Sequence, residues 1–119
     1  VDAVFSVHSN LGPVLLESVY EDCLSFELAD RGLSFQRQLV LPIEYKTHKL
    51  DSGLRLDFLV EGRVVLEIKA VETLLRVHKY QLLTYLKLGG YPLGFLVNFN
   101  VPLIKEGLHR YVMGFDENS

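Results

Sequence analysis

The 119-residue sequence predicts an α/β or α+β fold: a central mixed β-sheet flanked by helices. Three observations carry this. The hydrophobic patterns run in the order helix, three strands, helix, two strands. Residues 64 to 97 read as strand, helix, strand, a crossover whose expected right-handed form makes its two strands parallel. Two apolar-rich runs flank Glu61-Gly62, as expected of strands joined by a tight hairpin turn.

Taken in order, residues 2 to 9 read as a short helix and Asn10 to Pro13 as a break. Leu15, Leu16, Val19, Tyr20, Cys23, Leu24 and Leu28 then recur at three- and four-residue spacings, an amphipathic helix stopped at Gly32. Phe35 to Lys46 is strand-like, and Pro42 marks it as an edge or a bulge. The hairpin spans Gly53 to Ala70. A helix from about Leu74 to Leu88 closes at Gly89-Gly90. Leu93 to Asn98 reads as a buried strand and Leu108 to Phe115 as the last one. No repeat, linker or low-complexity segment interrupts residues 1–119, which are expected to form a single domain.

A content of 49 % hydrophobic and 23 % charged residues is ordinary for a globular chain. No run approaches the roughly 18 apolar residues of a membrane span, so no membrane partner is expected. The chain opens at Val1 without an initiator Met or a signal-peptide pattern, which suggests a trimmed N-terminus. Cys23, the one cysteine, falls on an apolar helical face and is expected as a buried small hydrophobe in a reducing cytoplasm. His8, His48, His78 and His109 show no metal-ligand spacing, and no zinc is assigned. The net charge of −3 sits awkwardly with phosphate binding. Basic residues do gather around Lys46, His48 and Lys49, and around Arg76, His78 and Lys79; a solvated surface explains both groups equally well.

Charge within the central run, residues 55 to 69 (RLDFLVEGRVVLEIK), is harder to dismiss. Leu56, Phe58 and Val60 alternate with Asp57 and Leu59, and Val64, Leu66 and Ile68 with Glu67 and Lys69. Side chains two apart share a strand face. Glu67 and Lys69 therefore point one way, and the hairpin brings Asp57 beside them if its register puts both acids on one face. Two carboxylates and an ammonium among Leu, Val, Ile and Phe need partners or a task. Metal-assisted phosphodiester hydrolysis fits them: Mg²⁺ takes hard oxygen ligands and only one or two protein carboxylates. Asp57 and Glu67 would hold the metal, the Ile68 carbonyl would add an oxygen, and Lys69 would orient water or neutralise charge on phosphorus. Acid-x-Lys alone is cheap, since Glu44-Tyr45-Lys46 matches it too. A same-face ion pair is the bland alternative. Glu17, on the flank of its helix with Tyr20, Glu21 and Leu24, is a further ligand or an acid placed at a first helical turn. Gln81 and Tyr85 lie one turn apart on one helix face, though a Tyr among Leu82, Leu83 and Leu86 is otherwise usually core.

Asp57, then Glu67-x-Lys69, then Gln81-x-x-x-Tyr85 resembles the PD-(D/E)xK nuclease superfamily, in the branch bearing a QxxxY element. Leu11-Gly12-Pro13, Leu16 to Tyr20, Glu67 to Ala70, Gln81 to Leu86 and Asn98 to Asn100 further resemble the GxxExxY proteins, a small prokaryotic group. The resemblance covers nearly the whole chain and implies a restriction-endonuclease-like core. It also implies a longer first helix originally, Mg²⁺ or Mn²⁺ as cofactor, and catalytic roles for Glu17, Asp57, Glu67, Lys69, Gln81 and Tyr85. Gln81 would touch metal-bound water or Lys69, and Tyr85 the substrate phosphate. Leu56 stands where the superfamily name has Pro. Val14 stands where the group name has Gly, which predicts a backbone ahead of Glu17 different from the positive-φ conformation that Gly allows.

Two function classes follow. One is a Mg²⁺-dependent nuclease acting on nucleic acid, DNA being the expected substrate. The other is a catalytically silent module of the same fold that binds a partner or itself and keeps the charges as a buried network. The small chain leaves little surface to grip a duplex, which favours a homodimer or a protein partner in either case.

Overall fold

Helix α1 (Asp2–Leu11) and helix α2 (Glu17–Asp30) precede three strands, β1 (Phe35–Tyr45), β2 (His48–Val60) and β3 (Val64–Lys69). Helix α3 (Arg76–Gly89), strand β4 (Leu93–Asn98), a short 3₁₀ turn and strand β5 (Leu108–Val112) follow. The computed structural model describes residues 1–113; Gly114 and Phe115, at the end of the expected last strand, lie outside the described residues. The five strands form one sheet in the order β1-β2-β3-β4-β5. Only β3 and β4 run parallel, joined through α3; the other neighbours are antiparallel. This is the mixed α+β sheet of a restriction-endonuclease-like core. Among the described residues no helix is long and apolar enough to cross a membrane.

Each face of the sheet buries its own cluster. Ala3, Val4 and Val7 of α1 and Tyr20, Leu24 and Leu28 of α2 pack on Phe58, Val60, Leu66, Ile68 and Val97. Leu82 and Leu86 of α3 cover Leu59, Val65 and Leu96. The apolar stripe expected on α2 is narrower than its spacing suggests: Val19 is only part-covered, Leu16 is 73 % exposed, and Cys23 is half-buried rather than buried. The helix ends as expected at Gly32 (φ 74°), where the Gly32 N–H bonds Ala29 O and the Leu33 N–H bonds Leu28 O, both 3.0 Å.

Two details of strand register govern everything that follows. The β2–β3 connection is a three-residue loop, Glu61 to Arg63, not the two-residue turn expected, and it pairs Val60 with Val64 and Phe58 with Leu66. A two-residue loop would have paired Val60 with Arg63 and set Asp57 opposite Leu66, on the wrong face. Glu61 (φ 54°) and Gly62 (φ 65°) both take left-handed backbone here. Ser34 secures the loop: its N–H and hydroxyl donate to the Glu61 carboxylate at 2.6 and 2.8 Å.

The second detail overturns the simple alternation expected of β2. Leu56 belongs to the α3 cluster, whereas Phe58 and Val60 face α1 and α2. The ladder between β1 and β2 passes from Arg37–Phe58 to Leu39–Leu56, omitting the rung between them, and at that rung Gln38 takes φ 49°. Farther out, β2 begins at His48 rather than Gly53, so β1 and β2 form a long two-stranded ribbon. Its register shifts between Leu41 and Ile43, at Pro42 on the edge strand, as expected. A side chain at Gly53 would collide there with the Leu41 carbonyl oxygen.

Candidate active site

The β2–β3 ladder stops at the Phe58–Leu66 pair, and beyond it side chains replace backbone as partners. The Ile68 N–H donates to Asp57 Oδ2 at 2.8 Å, and the Asp57 N–H donates to Glu67 Oε2 at 2.9 Å. Two acids ten residues apart thus interlock across the rung where the strands part. An extended residue points its N–H and C=O the same way, so the Ile68 carbonyl faces these carboxylates too. Lys69, half-buried, follows on the Glu67 side of the strand.

Glu67 is only 3 % exposed. Burial first, and then the neighbouring Asp57 charge, raise its pKa from 4.5 to about 8; the Asp57 N–H and the Lys69 ammonium offset only part of this. Asp57 is raised chiefly by burial, against the stabilising Ile68 N–H. Glu17, although mostly exposed, is raised by the desolvation of its carboxyl, lowered by Lys69, and raised by Asp57 and Glu21. The Tyr85 hydroxyl is raised by burial and then by the Glu67 charge. The site is therefore acidic and short of positive charge, so its carboxyls ionise less readily than free ones. Among the described residues neither Asp57 nor Glu67 makes an ion pair, so the same-face ion pair is not found there.

Placement of the expected residues is uneven. Asp57, Glu67 and Ile68 are joined directly. From α3, Gln81 Nε2 donates to the Tyr85 hydroxyl at 2.9 Å, leaving the phenol proton free to be given elsewhere. Lys69 and Gln81 line one groove. Glu17 is near enough to feel Asp57 and Lys69, yet among the described residues no three His, Cys, Asp or Glu side chains are gathered to hold a metal ion as they stand. The donor chemistry nevertheless suits a hard divalent cation: two carboxylates and a carbonyl, all oxygen, at a site where among the described residues neither acid has an ion-pair partner.

Residues to which sequence reasoning gave no role hold this arrangement. Gln38 Nε2 reaches Asp57 Oδ1 at 3.4 Å and Glu21 Oε1 at 3.0 Å, and Arg37 binds Glu21 at 2.9 Å and Asp22 at 2.8 Å. The network ties α2 and β1 to the Asp57 strand. Its one sequence signal is Glu21, a turn beyond Glu17 on the same helix flank. Asn98 fixes the exit of β3, its Oδ1 accepting the Val71 N–H at 3.1 Å and its Nδ2 donating to Val71 O at 2.9 Å. Tyr20 serves the backbone ahead of Glu17: fully buried and stacked on Phe99 at 4.6 Å, it donates to Gly12 O and accepts the Leu15 N–H. Within that loop Val14 does adopt positive φ, 77°, against expectation. Its N–H bonds Asn100 Oδ1 at 3.1 Å, which helps hold this strained backbone, and its side chain is 81 % exposed.

A family model described as the PD-(D/E)XK nuclease superfamily matches residues 1–111. Comparisons with curated proteins and with solved structures give no match.

Proposed function

Because the chain belongs to the PD-(D/E)XK nuclease superfamily, we propose that it is a metal-dependent nuclease that hydrolyses phosphodiester bonds in DNA. The observation that carries this reading is the interlocked Asp57–Glu67 pair, whose buried carboxyls make no ion pair among the described residues and have Lys69 two residues on. Asp57, Glu67 and the Ile68 carbonyl would hold Mg²⁺ or Mn²⁺, with Glu17 closing in as a further ligand. The bound ion supplies Lewis-acid polarisation of the phosphoryl oxygen and acidifies water.

The chain's own residues do the rest. Lys69 orients the attacking water and offsets charge growing on phosphorus. Gln81 holds Tyr85 so that the free phenol proton can be donated to a phosphate oxygen. Glu17-x-x-Tyr20 supports a reading of the chain as one of the GxxExxY proteins, acting in a prokaryotic cytoplasm, and a second copy or a protein partner would add surface to grip the nucleic acid.

Cleavage of plasmid and single-stranded substrates with and without Mg²⁺ or Mn²⁺ tests the proposal. Cleavage should require metal and disappear in Asp57→Asn. Equal cleavage by that variant, or in chelator, refutes it.

A further inference from the structure

Helix α3 carries a charge that the rest of the chain does not. From Arg76 to Gly89 it holds Arg76, His78, Lys79 and Lys87 and no acid, in a protein of net charge −3, with Arg76 and Lys79 turned toward Tyr111 and His78 toward the groove described next. Phosphate binding by such a chain has to be local. Spacings of three, four and seven residues put Val77, Tyr80, Gln81 and Thr84 on one face of the helix. With His78 and Lys69 they line an open groove of about 570 Å³, within the range that holds a small organic ligand. Val77 and Tyr80 are 62 % and 54 % exposed. Among the described residues the Tyr80 ring has no aromatic or cationic partner. Lys69 makes the groove continuous with the acidic site.

We infer that this groove receives the substrate strand beside the bond to be cut, with one nucleobase stacked on Tyr80 and the adjoining phosphate between Lys69 and His78. Aromatic rings beside basic groups bind single strands through base stacking and phosphate attraction. A base offers its face only where it is unstacked from its neighbours. The substrate class is therefore single-stranded nucleic acid, or the single-stranded segment of a partly paired molecule. This deepens the nuclease reading and rests on it for the direction of the strand, but binding is measurable without cleavage.

The test is fluorescence anisotropy in chelator, with labelled oligothymidine, oligouridine and a thymidine–adenosine duplex as probes. The parent should bind single strands more tightly than duplex. Tyr80→Ala should lose about 5- to 150-fold in single-strand affinity, the effect of about 1–3 kcal/mol per stacked base, while Tyr80→Phe retains it. Tyr80-dependent binding of either single-stranded probe supports the groove. Tyr80 is exposed, so melting curves should not move. Parental affinity in Tyr80→Ala, an equal loss on duplex, or no single-strand binding by the parent overturns the inference. Metal-dependent cleavage is scored separately: a protein that cleaves while Tyr80→Ala binds normally keeps the nuclease reading and loses the groove. Tyr80-dependent binding without cleavage by the parent does the reverse.

Discussion

Glu67→Gln should change how the metal-free protein responds to pH. The substitution keeps an oxygen for the Asp57 N–H and nearly the same volume while removing the charge. In the folded parent burial and Asp57 hold the Glu67 pKa at about 8, against 4.5 in the unfolded chain. Between those values the folded protein keeps a proton that the unfolded chain has released. Its stabilising contribution is thus fully present below about pH 4.5, falls as pH rises, and is gone once the folded pKa is passed near 8. One such group contributes at most about 1.4 kcal/mol per pH unit, so from about pH 5.5 to about pH 7.5 the loss is roughly 2–3 kcal/mol. In a domain of this size about 4 °C of Tm accompanies each kcal/mol, giving roughly 10 °C.

The assay is thermal melting in chelator across that window, monitored by circular dichroism. Asp57 and Glu17 are raised as well and add a slope of the same sign, so the readout is the difference between the two profiles. Glu67→Gln should melt near the parent at the acid end and well above it at the alkaline end. Parallel profiles would mean that Glu67 is ionised and stabilised in the folded protein, and the reasoning about an uncompensated charge would fail.

Asp57→Asn should raise the Tm in chelator by a few degrees, on the order of 1 kcal/mol, because it removes a charge that presses on Glu67. It should also abolish most of the metal-induced stabilisation, about 2.7 kcal/mol for the parent at a hundredfold excess over Kd; a variant destabilised in chelator, with no metal response in the parent, would contradict both the site and its chemistry. Lys69→Ala should lose hydrolysis while keeping most of that metal response, since the ammonium acts on water and phosphate; parental cleavage rates in Mg²⁺ would remove Lys69 from the mechanism. Val14→Gly should stabilise by about 1 kcal/mol, since left-handed backbone costs a side chain about 1–2 kcal/mol and glycine's extra unfolded freedom returns about half of that. Chemical denaturation measures this, and a destabilised variant would show that the exposed Val14 side chain contributes contacts of its own.

The sequence made the order of elements legible because each carries its own periodicity, and it put Asp57 and Glu67 on neighbouring strands because only a short loop separates them. It did not make the rung legible. That depends on whether the loop has two or three residues, which Ser34 helps decide by gripping Glu61 from 27 positions away. The face switch of Leu56 was hidden for a related reason: it follows the left-handed Gln38 on the neighbouring strand, and Gln is not among the residues that favour that conformation. Periodicity also overfilled the α2 stripe. Leu16 sits at the right spacing but at the N-cap, beyond the reach of the core. Tertiary partners set these features, and one strand read alone does not contain them.

The site's position at the parting of the strands has a physical cause. Intact ladders would satisfy the Ile68 N–H across β2–β3 and the Asp57 N–H across β1–β2 with strand carbonyls, and leave no reason to bury two acids there. Once β2–β3 pairing stops at Phe58–Leu66 and β1–β2 pairing omits the Gln38–Asp57 rung, those donors need acceptors, and the Asp57 and Glu67 carboxylates supply them. Each carboxylate is thereby fixed by one oxygen. Its other oxygen is freer among the described residues: Asp57 Oδ1 has there only the long contact to Gln38, and Glu67 Oε1 accepts no hydrogen bond. Backbone donors orient the acids without neutralising them as a lysine or arginine would. Rigid placement and unbalanced charge therefore arise from the same broken rung, and a divalent cation would restore the balance while leaving the geometry in place.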